Sequence, residues 1–110
     1  MTMTNAASLL ASDHNLRLND TNDALDTMAL GLSGCIFEES DLHPQFFDFQ
    51  NGVAGEIMQK FVNYGFRVAF VVPTGHTHGP RLDELMIDHR NHPVIRFFPD
   101  VATAGAWFAD

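Results

Sequence analysis

The sequence predicts one α/β domain, a mostly parallel sheet of about four strands with helices packed on it. Three observations carry that expectation. The chain has 110 residues, 45% hydrophobic and 18% charged, a balance that suits one domain able to bury a core and argues against a disordered chain. Short strand-like runs alternate with stretches of helical periodicity, the order that yields parallel neighbours joined by helices. One run, Val68-Ala69-Phe70-Val71-Val72, is apolar on both faces, as a central strand covered on two sides must be.

The elements follow in order. Residues 1–14 show little pattern and are expected to form a flexible tail before a domain over 15–110. Leu16-Arg17-Leu18 alternates weakly and gives a short first strand. Asp20 or Thr21 can cap the next helix, in which Leu25, Met28, Ala29 and Leu32 recur at helical spacing and which Gly31 and Gly34 end. Cys35-Ile36-Phe37 reads as a buried strand that stops at the polar Glu38-Glu39-Ser40-Asp41. Phe46, Phe47 and Phe49 then crowd a short stretch, and three aromatics cannot all sit in water cheaply, so a helical turn or ordered loop should fold them back.

The clearest helix begins at Asn51-Gly52. Val53, Ile57 and Phe61 share one face, Asn51 suits the N-cap, and Gly65 suits the left-handed position past the end. Glu56 and Lys60 are spaced for a surface ion pair. After Val68–Val72 comes the loop Thr74 to Gly79. Pro80 then opens a helix marked by Leu82, Leu85, Met86 and His89. Val94–Phe98 is the last strand. Asp100 caps a closing helix through Val101, Ala104 and Phe108.

Charge narrows the partners. A net charge of -8 with six scattered Lys and Arg excludes nucleic acid, whose phosphates need clustered cations, and disfavours an anionic membrane surface. No stretch reaches the roughly 18 apolar residues of a membrane helix. The single cysteine, Cys35, fits a reducing compartment, and a cytoplasmic location is expected. Its apolar neighbours make it a small core residue rather than a nucleophile.

Longer phrases add a resemblance. Leu42-His43-Pro44-Gln45-Phe46-Phe47-Asp48 and Gly52-Val53-Ala54-Gly55-Glu56-Ile57-Met58-Gln59-Lys60-Phe61-Val62-Asn63-Tyr64 resemble a bacterial domain-of-unknown-function family, number 4180 in that series. The likeness continues through Arg67-Val68-Ala69-Phe70-Val71 and weakly into Phe97-Phe98-Pro99. It implies no activity. The layout is more distantly similar to STAS domains, the anti-sigma-factor antagonist fold, which implies a STAS-like sheet and a protein-binding role. That family carries a phosphorylatable Ser or Thr directly after a loop Asp. The matching stretch here, Asp48-Phe49-Gln50-Asn51-Gly52, holds no hydroxyl and departs from that switch.

Three site readings remain open, all at the carboxyl edge of the sheet, where open parallel sheets hold ligands. Phe47, Asp48 and Phe49, with Asn51 and Gly52, could anchor a protein partner or a ligand. Backbone N–H groups at Gly52 and Val53 could hold a small anion, although close packing of Gly52 and Gly55 on a neighbouring strand is the favoured reading. His76 and His78, two apart, could hold a divalent metal with Glu38, Glu39, Asp41 or His43. No other cofactor is expected. The leading expectation is a non-enzymatic regulatory module that binds a protein or ligand. A homodimer through an exposed helix or open edge strand is a further option, and a small metal-dependent enzyme is the alternative function.

Overall fold

The computed structural model describes residues 8–109. Three strands form its sheet, β1 (Gly34–Glu38), β2 (Arg67–Val71) and β3 (Ile95–Phe98), all parallel and in the spatial order β1-β2-β3. The helices are α1 (Thr21–Ala29), α2 (Val53–Tyr64), α3 (Pro80–Asp88) and α4 (Val101–Ala109). Register pairs Cys35 with Val68 and Phe37 with Phe70, and continues from Val68 to Ile95 and from Phe70 to Phe97. Because side chains alternate along a strand, these residues line one face, and Ile36, Ala69 and Val71 line the other.

The two faces carry separate cores. Ala24 of α1 and Ile57, Met58 and Phe61 of α2 join Cys35, Phe37, Val68, Phe70 and Ile95 on the first face, with Leu85 of α3 packed against them. Phe37, Phe46, Phe61 and Phe70 are fully buried there. Their ring centroids lie 5.2–6.3 Å apart, within the range where tilted aromatic pairs attract. On the second face α4 lays Ala104 and Trp107 over Ile36, Ala69 and Val71. As its composition predicts, β2 is central and covered on both sides.

The sheet holds three strands rather than about four. Leu16-Arg17-Leu18 never becomes a sheet strand. Leu18 is buried but makes one isolated parallel bridge, to Leu42, with its N–H donating to the Asp41 carbonyl at 2.9 Å. Alternation over three residues cannot say which partner satisfies the backbone. Residues 1–7 of the expected tail lie outside the described residues. The rest of that stretch belongs to the domain. Ala11 is fully buried in a 3-10 turn (Ala11–His14), and the Leu9 carbonyl accepts the Ile36 N–H at 2.7 Å.

Helix ends follow their chemistry. Asp20 caps α1, its carboxylate accepting the Asp23 N–H at 3.1 Å. The α1 face differs from the expected one. Ala24 and Thr27 are buried while Leu25 is 39% exposed, because Thr27 spends its hydroxyl on the Asp23 carbonyl and tolerates burial. Gly34, expected to end that helix, opens β1 instead. A Cβ there would collide with the Phe108 ring and stand 2.8 Å from the Arg67 carbonyl oxygen, so only glycine lets α4 approach.

Candidate functional site

Parallel strands put all three carboxyl ends on one edge, and two of the polar segments expected there meet. β1 ends at Glu38, and a 3-10 turn (Glu39–Asp41) follows. The Asp41 carboxylate, itself buried, accepts the Glu38 N–H at 2.9 Å, and the Glu38 carboxylate accepts the Asp41 N–H in turn. That reciprocal box fixes Glu39. From the loop after β2, His78 reaches across, its Nε2 lying 2.5 Å from the Glu39 Oε2. The third segment does not join them: Asp100 caps the first turn of α4 by accepting the Thr103 N–H and hydroxyl at 2.8 and 2.7 Å. Those two bonds hold its carboxyl below the usual carboxylate range.

A second 3-10 turn (Pro44–Phe47) carries the aromatic cluster. Phe46 is buried and packs edge-on against Phe47 at 5.5 Å. Phe47 lies flat on the His78 imidazole, centroids 3.7 Å apart and planes 9° apart. His76 stacks near His78 at 5.6 Å. The structure thus brings the two candidate residue sets into contact through Phe47 and His78.

Each imidazole has a defined partner. The His76 Nδ1 accepts the His78 N–H at 3.1 Å, which leaves the proton on Nε2, and this donates to Asp83 Oδ1 at 2.7 Å. Both nitrogens of His76 are committed, and its side chain is only 6% exposed. His78 gives Nε2 to Glu39. The two imidazoles therefore lead to different carboxylates. Among the described residues no group of three or more His, Cys, Asp or Glu is placed to hold a metal ion. His43, one of the expected companions, is exposed and accepts the Gln45 N–H instead.

Asn51 and Gly52 serve the loop. Gly52, not Asn51, occupies the N-cap of α2, with φ 78° in the left-handed region that favours glycine. The Asn51 side chain accepts the Val53 N–H at 2.8 Å and donates to the Gln45 carbonyl at 3.0 Å, tying the start of α2 to the aromatic turn. The Val53 N–H that an anion would need is therefore already engaged. Gly55 does not pack closely on a strand as expected; a Cβ would meet open space at either glycine.

Phe47, Asp48, Phe49, Gln50 and Arg81 line a cleft of about 440 Å³. Phe47 and Phe49 are half-buried, and Asp48, Gln50 and Arg81 are exposed. One Asp48 oxygen, Oδ1, accepts the Gln50 N–H at 3.2 Å. Arg81 makes a long 3.4 Å contact with Glu84, and both side chains are largely in solvent. Arg81 was the residue that sequence reading missed. It follows Pro80 at the start of α3, and that position alone signalled a helix start. A neighbouring cavity of about 220 Å³ lies over Glu38, Glu39, Ser40, Val71 and Pro73.

Other candidates resolve into structure. Cys35 is fully buried, and burial pushes its thiol up to about 12, so it is no nucleophile near neutral pH. Glu56 and Lys60 do not pair; among the described residues the carboxylates that meet an imidazole or guanidinium are Asp83 with His76, Glu39 with His78 and Glu84 with Arg81. Among the same residues, no helix is long and apolar enough to cross a membrane.

A family model described as Domain of unknown function (DUF4180) matches residues 4–108. The chain belongs to that family. No curated protein and no solved structure matches it.

Proposed function

We propose that this member of the DUF4180 family is a non-enzymatic, regulatory binding module whose site is the cleft between Phe47 and Arg81. The carrying observation is the cleft's makeup. Two half-buried phenylalanines line it, and an exposed carboxylate and an exposed guanidinium line it without pairing with each other. Aromatic anchors with a polar rim are the usual chemistry of recognition. Nearby polar groups are spent on one another, as His76 is on Asp83 and His78, and so hold the platform rather than activate a reactant. The proposal includes a protein partner, a cytoplasmic setting and a STAS-like layout, with the acidic surface favouring a basic patch on the partner.

The experiment is capture from native cell extract, comparing wild type with an Asp48→Ala, Phe49→Ala variant first shown to keep its fold. A partner held by wild type and lost by the variant supports the reading. A partner indifferent to both changes, or no partner, counts against it.

A second reading rests on the Glu39–His78 contact. A carboxylate that orients an imidazole beside a cavity over Glu39 and Ser40 is an arrangement used for general acid–base work. In its metal-dependent form His78 could ligate through Nδ1 with Nε2 still on Glu39, whereas His76 would have to release either the His78 N–H or Asp83. Stoichiometric metal in purified wild type, lost in a His76→Ala, His78→Ala pair, would favour it.

A further inference from the structure

We infer that the cleft between Phe47 and Arg81 takes a small zwitterion with an apolar body, of the class of an aromatic α-amino acid. Its ammonium group would meet Asp48 and its carboxylate Arg81. The inference rests on the cleft being the binding site and adds what binds there.

Four observations lead to that class. First, the cleft carries one charge of each sign, and Asp48 and Arg81 do not neutralise each other. Asp48 commits Oδ1 to the Gln50 N–H, which leaves Oδ2 for a cation. Arg81 has only a long, solvent-exposed contact with Glu84, so its planar fork remains available to a carboxylate. Second, Arg81 lies in the first turn of α3, whose N-cap, Gly79, supplies no side-chain cap. The partial positive charge of that helix end favours the anionic group on the same side. Third, the rings supply the apolar wall. The stack on His78 holds Phe47 still, so a ligand pays little to order it. Fourth, the chain's net charge of -8 repels a free anion and draws a free cation, but a cation alone leaves Arg81 without a counter-charge, whereas a zwitterion supplies both groups with no net charge to oppose. About 440 Å³ falls within the range of roughly 300–1,000 Å³ typical of small-molecule sites.

The test is a two-dimensional amide NMR titration of the full chain with three probes. L-Phenylalanine carries both charges, phenethylamine lacks the carboxylate, and 3-phenylpropanoate lacks the ammonium. L-Phenylalanine should shift resonances of Phe47 to Asn51 and of Arg81. Each truncated probe should bind roughly twofold to fivefold more weakly, the worth of one exposed ion pair. Arg81→Gln should erase the preference for L-phenylalanine over phenethylamine. Asp48→Asn should erase its preference over 3-phenylpropanoate. The same spectra show that each variant remains folded.

Equal affinity for all three probes would overturn the inference and leave an apolar cleft indifferent to charge. Shifts elsewhere, or none, would overturn it too. A silent panel beside a protein partner lost on Asp48→Ala, Phe49→Ala would overturn the zwitterion alone. Silence in both experiments would overturn the binding module as well.

Discussion

His76 and His78 meet carboxylates, whereas His89 and His92 meet the main chain. Both pairs bring their rings within 6 Å, at 5.6 and 5.1 Å. In the first pair each Nε2 lies against an acid, Asp83 or Glu39. In the second, the His92 Nδ1 accepts the N–H groups of both Val94 and Ile95 at 3.0 Å, and the His89 Nδ1 donates to the Leu85 carbonyl at 2.8 Å. Two backbone donors at the entry to β3 depend on one imidazole. That histidine is part of the fold, because an orphaned donor costs stability. The carboxylate-bound pair props up a surface platform, where the acids and the His78 side chain are reached by water. The partner, not the residue type, separates a histidine that holds a strand entry from one that holds a surface loop.

The comparison is broken most severely by removing the floor under the first pair. Phe46→Ala deletes a fully buried ring that supports Phe47 and Phe70, and should cost about 3–5 kcal/mol in urea unfolding. If the variant is folded, its Phe47–His78 stack should loosen while resonances of His89 and His92 stay in place. Next comes His92→Ala, which strands two N–H groups and should cost about 1–3 kcal/mol by the same measurement. His78→Ala should cost no more than about 1 kcal/mol, because its contact with Glu39 is partly in solvent. Equal losses for His92→Ala and His78→Ala would abolish the distinction between the pairs.

The smallest effect is a pH dependence. Burial, then the neighbouring His89 and Arg96, lower the His92 pKa from its ordinary 6.5. The unfolded chain therefore binds that proton more readily than the folded one. His92 contributes stability above about pH 6.5 that is lost as the pH falls through the lower folded value. Melting temperatures between about pH 7.5 and about pH 5 should decline on the acid side, less steeply in His92→Gln. An unchanged slope in that variant would assign the decline to other groups.

Much of the fold was legible because local chemistry and burial agree. Val68–Val72 had to be central, Asp20 could cap and Pro80 could open a helix, and the structure uses each so. The failures have particular causes. Leu18 bonds to Asp41 and His43 rather than to a sheet neighbour, Gly34 is glycine because Phe108 arrives from the other end of the chain, and Leu25 turns outward because Thr27 can turn in. For Leu18 and Gly34 the deciding partner is distant in sequence, and for Leu25 a local bond frees Thr27 to take the buried position.

The site divides along the same line. Alternating strands and helices make the strands parallel and parallel strands end together, so the order of the chain already places aromatic, acidic and histidine-bearing loops toward the carboxyl edge. Packing in three dimensions sets Phe47 on His78, brings His78 to Glu39, and adds Arg81 to the cleft with Asp48. Such contacts depend on loop conformation and on distances of a few ångströms between segments joined through the core. A linear pattern records which residues a loop carries but not where its side chains meet.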